Sequence, residues 1–288
     1  MSTSRGPAPV AEGDHSFFAY DDDTEWADVV LRSVHAGLGS GRRVLCDVDA
    51  KPAGVVLDVL RRGGIDVTAA QEGGRLRVAT SGGFFRRHLP FDPDRVIPLV
   101  RAACAEAIAD GFAGLTVLED KSWCARGVPG AERLLEYELR LDREVYADLP
   151  VTGLCMFDRR VVPARLAGLL SGAHHSAVSA TAEPEPRPFT VSALRDGAGV
   201  RLSGSADLDS RSDLAAALAA ITGIPGATVQ LDLTHATFID AEAVAALVEA
   251  THRLRRQGRR LMLHNPPYSL RRVAQLFPDE CGALEVPV

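Results

Sequence analysis

A break in the apolar pattern constrains the architecture of this chain more than any other sequence feature. Between Ser176 and Pro188 the sequence reads SAVSATAEPEPRP, where proline, small residues and charges replace any apolar period. Such a composition is typical of an extended, semi-rigid linker. At 288 residues the chain is also long enough for two domains. We therefore predict domains at residues 13–178 and 189–288, joined by a linker at residues 179–188.

Strand-like and helical apolar runs alternate on both sides of this linker. On the N-terminal side we predict strands at Val44–Val48, Ile65–Thr68, Leu76–Thr80, Gly114–Leu118 and Val151–Phe157, and helices at Asp23–Leu38, Ala53–Arg62, Asp94–Asp110, Ala131–Ala147 and Pro163–Leu170. On the C-terminal side we predict strands at Val200–Ser203, Thr228–Leu233 and Arg260–His264, and helices at Ser212–Ile221, Ala241–Arg256 and Leu270–Phe277. This alternation predicts an α/β fold, with a largely parallel sheet in the first domain and a small, separate α/β unit after the linker.

The composition argues against several classes of protein. No run reaches the roughly 18 to 20 apolar residues of a membrane span, and the N-terminus lacks the features of a signal peptide, so we expect a cytoplasmic protein. The net charge of −6 argues against general nucleic-acid binding. The five cysteines show no CxxC spacing, so we predict neither a disulfide framework nor a metal site, and we expect no cofactor.

Sequence motifs of nucleotide hydrolysis and covalent catalysis are missing. The segment Asp47–Pro52, after the first predicted strand, reads DVDAKP, which has no glycine for a phosphate loop and two carboxylates that repel phosphate. No GxSxG elbow or HExxH helix occurs, and sequence spacing assembles no nucleophile with an oriented base. We therefore predict no catalytic residues and no enzyme activity.

A series of motifs between Gly13 and Val178 resembles the MEDS sensory domain, a degenerate relative of RecA-type ATPases. The motifs, in chain order, are GDHSFFAYDDD, GLGSGRRVLCDV, Glu119 after an apolar strand, LLEYELRLDREV, LCMFDRR and the pair His174-His175. The resemblance implies a degenerate RecA-like sheet with flanking helices. It also implies a module that senses a small ligand and is not an enzyme.

Candidate ligand residues follow from the strand ends and from these motifs. Ligands of open parallel sheets bind beyond the C-terminal strand ends, where Asp49, Glu119 and Asp158 fall. Those carboxylates either bind a cation or polar ligand or cap the following helices. For His15, Tyr20 and Trp123 the alternative is ordinary packing. For His174 and His175 the alternative is a favourable charge at a helix end. The complete predicted pocket contains His15, Tyr20, Asp49, Glu119, Trp123, Glu138, Asp158 and His174.

From about Phe189 onward, the chain resembles the STAS family of the anti-anti-sigma factor type. Three segments carry the resemblance: LSGSAD at 202–207, VQLDL at 229–233 and TFIDAEAV at 237–244. The resemblance implies four helices packed on one face of a mixed sheet of four or five strands. It also implies a partner of the anti-sigma factor type, which in this family is a kinase.

The family's phosphorylatable serine is missing from the predicted switch. In related proteins the phosphorylated residue lies two positions after an aspartate, which corresponds to Asp240 here. Ala241 occupies the preceding serine position, Glu242 occupies the phosphorylated position, and Asp207 matches an acidic residue beside the switch. Glu242 carries a charge of about −1, against about −1.5 to −2 for phosphoserine, so it imitates that state in part. Alternatively, it only stabilises the helix terminus.

Together these features predict a signalling regulator. Its STAS domain binds an anti-sigma factor or a similar partner through Thr237, Ala243 and Glu249, while its N-terminal domain senses a small ligand. One alternative is a scaffold in a larger signalling complex, with homodimerisation as its signature. Another is a weakly catalytic N-terminal domain. We expect no direct contact with nucleic acid or membrane.

Overall fold

The computed structural model describes residues 13–48, 51–79, 89–178, 189–194 and 197–285. The chain divides into two compact units. The first contains Met1–Leu134, Leu141–Ala167 and His174–Pro184, and the second contains Leu135–Arg140, Gly168–Ala173 and Glu185–Val288. The predicted linker at 179–188 and the candidate residue Asp49 lie outside the described residues, so the predicted domain bounds stay a prediction.

The first unit contains a six-stranded sheet in the order β3-β2-β4-β5-β1-β6. All neighbouring strands in it are parallel, which confirms the predicted α/β class. The sequence pattern missed β1 because HSFFAY is almost wholly buried and has no alternation of polar and apolar residues. The strands are β1 His15–Tyr20, β2 Arg43–Val48, β3 Leu76–Val78, β4 Leu115–Asp120, β5 Val151–Asp158 and β6 Ser176–Ala177.

Among the described residues, the N-terminal part of the chain forms six α-helices. One predicted strand is wrong: Ile65–Thr68 does not form a strand, because Asp66 caps a short helix by accepting a hydrogen bond from the amide of Ala69 at 3.0 Å. The predicted helix at Ala131–Ala147 is a short 3-10 turn, an α-helix and a π-helical turn in succession. The helices are α1 Asp23–Gly39, α2 Ala53–Arg62, α3 Val67–Glu72, α4 Pro93–Ala109, α5 Leu134–Leu141 and α6 Ala164–Ser171.

Helix α1 begins at the predicted residue, Asp23, and packs on the sheet through one face. The Asp22 carboxylate accepts hydrogen bonds from the amides of Thr24 and Glu25, which caps the helix. Residues spaced by four form its buried stripe, and burial of each large apolar side chain contributes about 1.5–3 kcal/mol. In this stripe Trp26, Val30 and Val34 are fully buried and Leu38 is partly buried against the same core.

The second unit contains a mixed sheet of four strands in the order β10-β9-β8-β7. Strand β7 is antiparallel to β8, and the other pairs are parallel. The strands are β7 Phe189–Ala193, β8 Gly199–Ala206, β9 Thr228–Ile239 and β10 Arg260–His264, and the helices after β7 are α7 Arg211–Gly223, α8 Ala241–Arg256, α9 Tyr268–Leu276 and α10 Pro278–Cys281.

Helix α8 separates a buried face from an exposed face. Val244, Leu247 and Leu254 are buried, whereas Glu249 and Arg253 on the opposite side are exposed. Within the described part of the chain, no helix is both long enough and apolar enough to cross a bilayer.

Two glycines of α1 give a matched test of the packing between this helix and the sheet. A Cβ at Gly37 would lie 2.8 Å from Val44 Cγ2 and 2.9 Å from Thr116 Oγ1, whereas a Cβ at Gly39 would meet nothing within 4 Å. We expect Gly37→Ala to lower the free energy of unfolding by about 1–3 kcal/mol through overpacking. Gly39→Ala should leave it unchanged or raise it by up to about 1 kcal/mol. Urea titrations of both variants measure this difference, and equal effects would contradict the packing.

Candidate functional site

The structure divides the predicted pocket between the two ends of the first sheet. His15 begins β1 and Tyr20 ends it. Because a strand rises about 3.3 Å per residue, these two residues lie about 16 Å apart along the strand. A single small ligand therefore does not contact both. Their spacing in sequence is short, but an extended strand carries them to opposite edges of the sheet.

At the C-terminal ends of the strands, buried polar groups form one connected network. The Tyr20 hydroxyl donates to Asp120 at 2.7 Å, and Asp120 accepts from the Ser122 amide at 2.9 Å. The Ser122 hydroxyl oxygen accepts a hydrogen bond from the Asp158 amide at 2.8 Å. Burial raises the pKa of Asp120, and burial followed by the charge of Asp120 raises the pKa of Tyr20. The network joins β1, β4 and β5 at this edge.

Carboxylates occupy the turn between β1 and α1. The sequence there is Asp21-Asp22-Asp23, without a glycine. Asp22 caps the first amides of α1, and Asp23 accepts hydrogen bonds from Lys51 at 2.7 Å and Arg160 at 2.8 Å. A helix N-terminus after a parallel strand is a common phosphate site. Here the chain's own carboxylates use those amides and cations, which disfavours a phosphate at this position.

Arg160 also fixes Asp158 at the end of β5. Its guanidinium donates to both carboxylate oxygens of Asp158, from Nε and Nη2, at 2.8 Å each. This bidentate pair holds the pKa of Asp158 below its usual range. Asp158 also accepts a hydrogen bond from the Arg160 amide at 2.9 Å and stays charged, and its place in the ligand pocket stays a prediction.

Three further predicted pocket residues within the described part of the chain, Glu119, Trp123 and Glu138, are buried. Glu119 pairs with the fully buried Lys121 at 2.9 Å. Trp123 packs against the ring of Phe91, with 4.9 Å between the ring centroids. Glu138 is fully buried in α5, in the segment that belongs to the second unit. None of these placements tests ligand binding, and the pocket assignment stays a prediction for these residues.

Imidazole, thiol and carboxylate groups meet at the N-terminal end of β1. His15 is fully buried, and its Nδ1 lies 2.7 Å from Asp142 Oδ1. Its Nε2 lies 3.4 Å from Sγ of Cys155, in the neighbouring strand β5. The ring of His174 lies 4.0 Å from the ring of His15, measured between centroids. The structure therefore brings together His15 and His174, which were predicted, with Cys155 and Asp142, which were not.

A π-helical turn at Asp142–Tyr146 shapes this cluster. Asp142 begins the turn, and Tyr146 at its end stacks on His15 at 4.5 Å between ring centroids. Burial alone would raise the pKa of Asp142, but hydrogen bonds from His15 and His175 outweigh burial and lower it. Single π-helical turns occur frequently at functional sites. The wider helix gives no sequence signal of its own, so sequence reasoning missed Asp142.

In the second unit, the predicted switch residues meet at the start of α8. Asp240 accepts a hydrogen bond from the amide of Ala243 at 2.7 Å and so caps the helix. Glu242 lies in the first turn, with 64% of its side chain exposed, and pairs with Arg211 of α7 at 2.8 Å. Arg211 also lies 3.6 Å from Asp240. Asp207 begins the neighbouring turn, where its amide donates to Ser210 Oγ at 2.9 Å.

Exposed apolar side chains surround this helix start. Leu208 follows β8, Phe238 lies near the end of β9 and Tyr268 begins α9 after β10, with exposures of 72%, 47% and 73%. Because β8, β9 and β10 are parallel, their C-terminal ends share one edge of the sheet. A hydrogen bond of 2.9 Å from the Ile239 amide to Ser269 Oγ ties the start of α9 to the end of β9.

The predicted partner contacts differ in their accessibility. Thr237 and Glu249 are exposed. Ala243 is buried, because it lies on the inward face of the first turn of α8, so its side chain is not available on the surface.

Two family models match the chain. The model described as "MEDS: MEthanogen/methylotroph, DcmR Sensory domain" matches residues 14–175, and the model described as "Mlab, STAS domain" matches residues 189–278. The first match covers more than half of the 288 residues. No curated protein matches the chain at a significant level.

Two solved proteins are similar to parts of the chain. The anti-sigma factor antagonist SpoIIAA in its unphosphorylated form is 19% identical over 35% of this chain and 88% of that chain, with a TM-score of 0.28. The DUF1998 helicase MrfA bound to DNA is 13% identical over 85% of this chain, with a TM-score of 0.33. The present chain covers 33% of that helicase.

The Asp158–Arg160 pair gives a pH-dependent test of the network at the C-terminal strand ends. The folded state lowers the pKa of Asp158, so its stabilisation is complete above the unfolded value of 3.8 and is lost as the pH falls through the folded value. We expect Asp158→Asn to cost about 1–2 kcal/mol at pH 7 and less below pH ~3.8. The exposed control Asp21→Asn should change stability by less than about 0.5 kcal/mol. Urea titrations across pH measure both, and a pH-independent cost for Asp158→Asn would contradict the charged pair.

Proposed function

Since the chain belongs to the MEDS family and carries a C-terminal STAS domain, we propose that it is a non-enzymatic signalling regulator. Its STAS domain binds a regulatory partner of the anti-sigma kinase type, and its N-terminal domain senses a small ligand. Glu242 takes the place of the phosphorylatable serine. The exposed start of α8, with Glu242 in its first turn, is the observation that carries this proposal.

The partner surface consists of the three exposed apolar residues Leu208, Phe238 and Tyr268 together with the start of α8. Large apolar side chains exposed on a protein surface contribute little to folding stability, but they supply much of the binding energy when a partner covers them. Their position at one sheet edge, beside Glu242, supports a docking site that senses the charge state of that edge. We call this set the α8 edge.

Glu242 acts as a permanent, partial substitute for a phosphoserine. A helix N-terminus stabilises negative charge, and the same charge opposes an apolar or acidic partner surface. The ion pair with Arg211 is largely exposed, with 42% and 64% of the two side chains accessible. Exposed pairs of this kind contribute at most about 1 kcal/mol, so the pair leaves Glu242 available to a partner.

In this proposal, control passes from phosphorylation to ligand binding. A carboxylate cannot be removed by a phosphatase, so a switch built on Glu242 needs another input. The N-terminal domain belongs to a family of sensory domains, so we place the other input in that domain. Reciprocal coupling follows: a ligand that raises the affinity for the partner is itself bound more tightly when the partner is present.

Restoring the serine tests the role of Glu242. We expect Glu242→Ser to raise the affinity for one anti-sigma kinase of the same organism at least tenfold, because the variant loses the fixed charge. Isothermal titration calorimetry with ADP present measures the affinity of the native chain and of the variant for each kinase. The exposed control Glu280→Ser, on α10, should leave the affinity unchanged.

Other outcomes of this titration have distinct meanings. Equal, tight binding by the native chain and Glu242→Ser would show an unswitched antagonist and contradict the role of Glu242 as a phosphoserine substitute. If neither binds any kinase, the anti-sigma proposal fails and the scaffold alternative takes its place.

A second substitution tests the α8 edge itself. We expect Phe238→Ala, introduced together with Glu242→Ser, to weaken kinase binding at least tenfold, because truncation of a central aromatic contact typically costs about 2 kcal/mol or more. Leu276→Ala, at the far end of α9, removes a side chain of similar exposure and serves as the control. Both variants should unfold at the same temperature as their parent, and equal binding by both would contradict this docking site.

A further inference from the structure

We propose that the first unit binds a transition-metal ion, with zinc as the best match, through His15, Cys155 and His174. The ligand atoms are Nε2 of His15, Sγ of Cys155 and a ring nitrogen of His174. We call these three residues the HCH cluster. This inference concerns a site that the family matches do not assign, and it does not depend on the proposed partner of the STAS domain.

The spacing of the donor atoms fits a metal ion. One ligand atom from each residue of the HCH cluster lies within 4.8 Å of the others. With a Zn–S bond of about 2.3 Å and a Zn–N bond of about 2.0–2.1 Å, tetrahedral ligands place sulfur and nitrogen about 3.6 Å apart. The Nε2 of His15 lies 3.4 Å from Sγ of Cys155. Small side-chain rotations therefore suffice to bring these donors into coordination distance.

The orientation of His15 is typical of a metal ligand. Its Nδ1 lies 2.7 Å from the Asp142 carboxylate, which holds the ring with that nitrogen as the donor. Nε2 is then the nitrogen directed at Cys155. Metal-bound histidines almost always place their second ring nitrogen against a carboxylate, a carbonyl or water in this manner. The stacked ring of Tyr146 further restricts rotation of His15.

The chemistry of the donors selects the class of metal. A thiolate with two imidazoles favours zinc and other borderline or soft ions over magnesium and calcium, which prefer oxygen ligands. His15 and Cys155 are 0% and 1% exposed, whereas His174 is only partly buried. The ion would therefore reach the HCH cluster from the side of His174.

The sequence prediction of no metal site rested on ligand spacing. Zinc motifs recognised from sequence place cysteine and histidine a few residues apart. The HCH cluster instead combines β1, β5 and the segment between α6 and β6, and parallel pairing of β1 with β5 places Cys155 opposite Phe17, two residues from His15. A nonlocal site of this kind leaves no local motif.

Cobalt(II) titration of the full-length chain tests the proposal. The chain is stripped with a chelator, kept reduced without oxygen and titrated with cobalt(II) alone. We expect one equivalent of cobalt to give a thiolate-to-metal absorption band in the near ultraviolet, which zinc then displaces. Elemental analysis of the zinc-loaded protein should find one zinc per chain.

Three variants and a matched control assign the band. Cys155→Ser should abolish it, whereas Cys46→Ser, which alters an equally buried thiol in β2, should leave it intact. His174→Ala should weaken cobalt binding at least tenfold, and Asp142→Asn should weaken it about 10- to 100-fold through the orientation of His15. Circular dichroism of the metal-free variants separates lost binding from lost folding, and the partly buried His174 provides the variant least disruptive to the core.

If the Cys155 thiol and the His15 imidazole form only a hydrogen bond and bind no metal, the opposite results are expected. In that case the folded native chain shows no thiolate band with cobalt and retains no zinc after dialysis. A band that survives Cys155→Ser, or that Cys46→Ser removes, would place the metal elsewhere. Either result would overturn the proposal, and neither depends on whether the STAS domain binds a kinase.

Discussion

The first unit depends on the pairing of β1 with β5. This pairing joins residues about 140 positions apart in the chain, as in the register of His15 with Gly153. Strand β1 also pairs with β6 on its other side, at Ser16 and Phe17. Phe18 and Tyr20 are fully buried. Any group carried by β1 is therefore held rigidly at one end of the sheet or the other.

The two ends of β1 have different chemistry. At the C-terminal end, carboxylates cap α1 and bind Lys51 and Arg160, so the position that holds phosphate in related architectures is filled by the chain itself. At the N-terminal end, imidazole and thiol groups face one another beside a π-helical turn. Self-paired carboxylates thus occupy one end of the strand, and imidazole and thiol groups occupy the other.

In the second unit, the residues that hold α8 on its sheet differ from the residues that α8 exposes. The inward stripe of α8 holds the helix on its sheet, while its first turn presents Glu242 to solvent. Asp240 supplies the cap, so a substitution at Glu242 changes the surface charge without removing the residue that begins the helix. This division makes Glu242 a position where charge can vary while the fold is retained.

Local sequence determined most of the helices and several strands. Periodicity fixes an element such as α2, Ala53–Arg62, and periodicity with an aspartate cap fixes α8, Ala241–Arg256, because each residue's preference acts within a few positions. The family models confirm the two resemblances that the sequence motifs indicated. Strand β1 could not be predicted in this way, because a strand buried on both faces has no alternation of polar and apolar residues.

Only the tertiary structure decided which candidate residues lie together. Strand direction separated His15 from Tyr20, although five positions separate them in sequence, and parallel pairing brought Cys155 beside His15 from the far side of the domain. The π-helical turn then added Asp142. Sequence specifies these contacts only through the complete sheet, because proximity across strands depends on strand order and register, which no local pattern encodes.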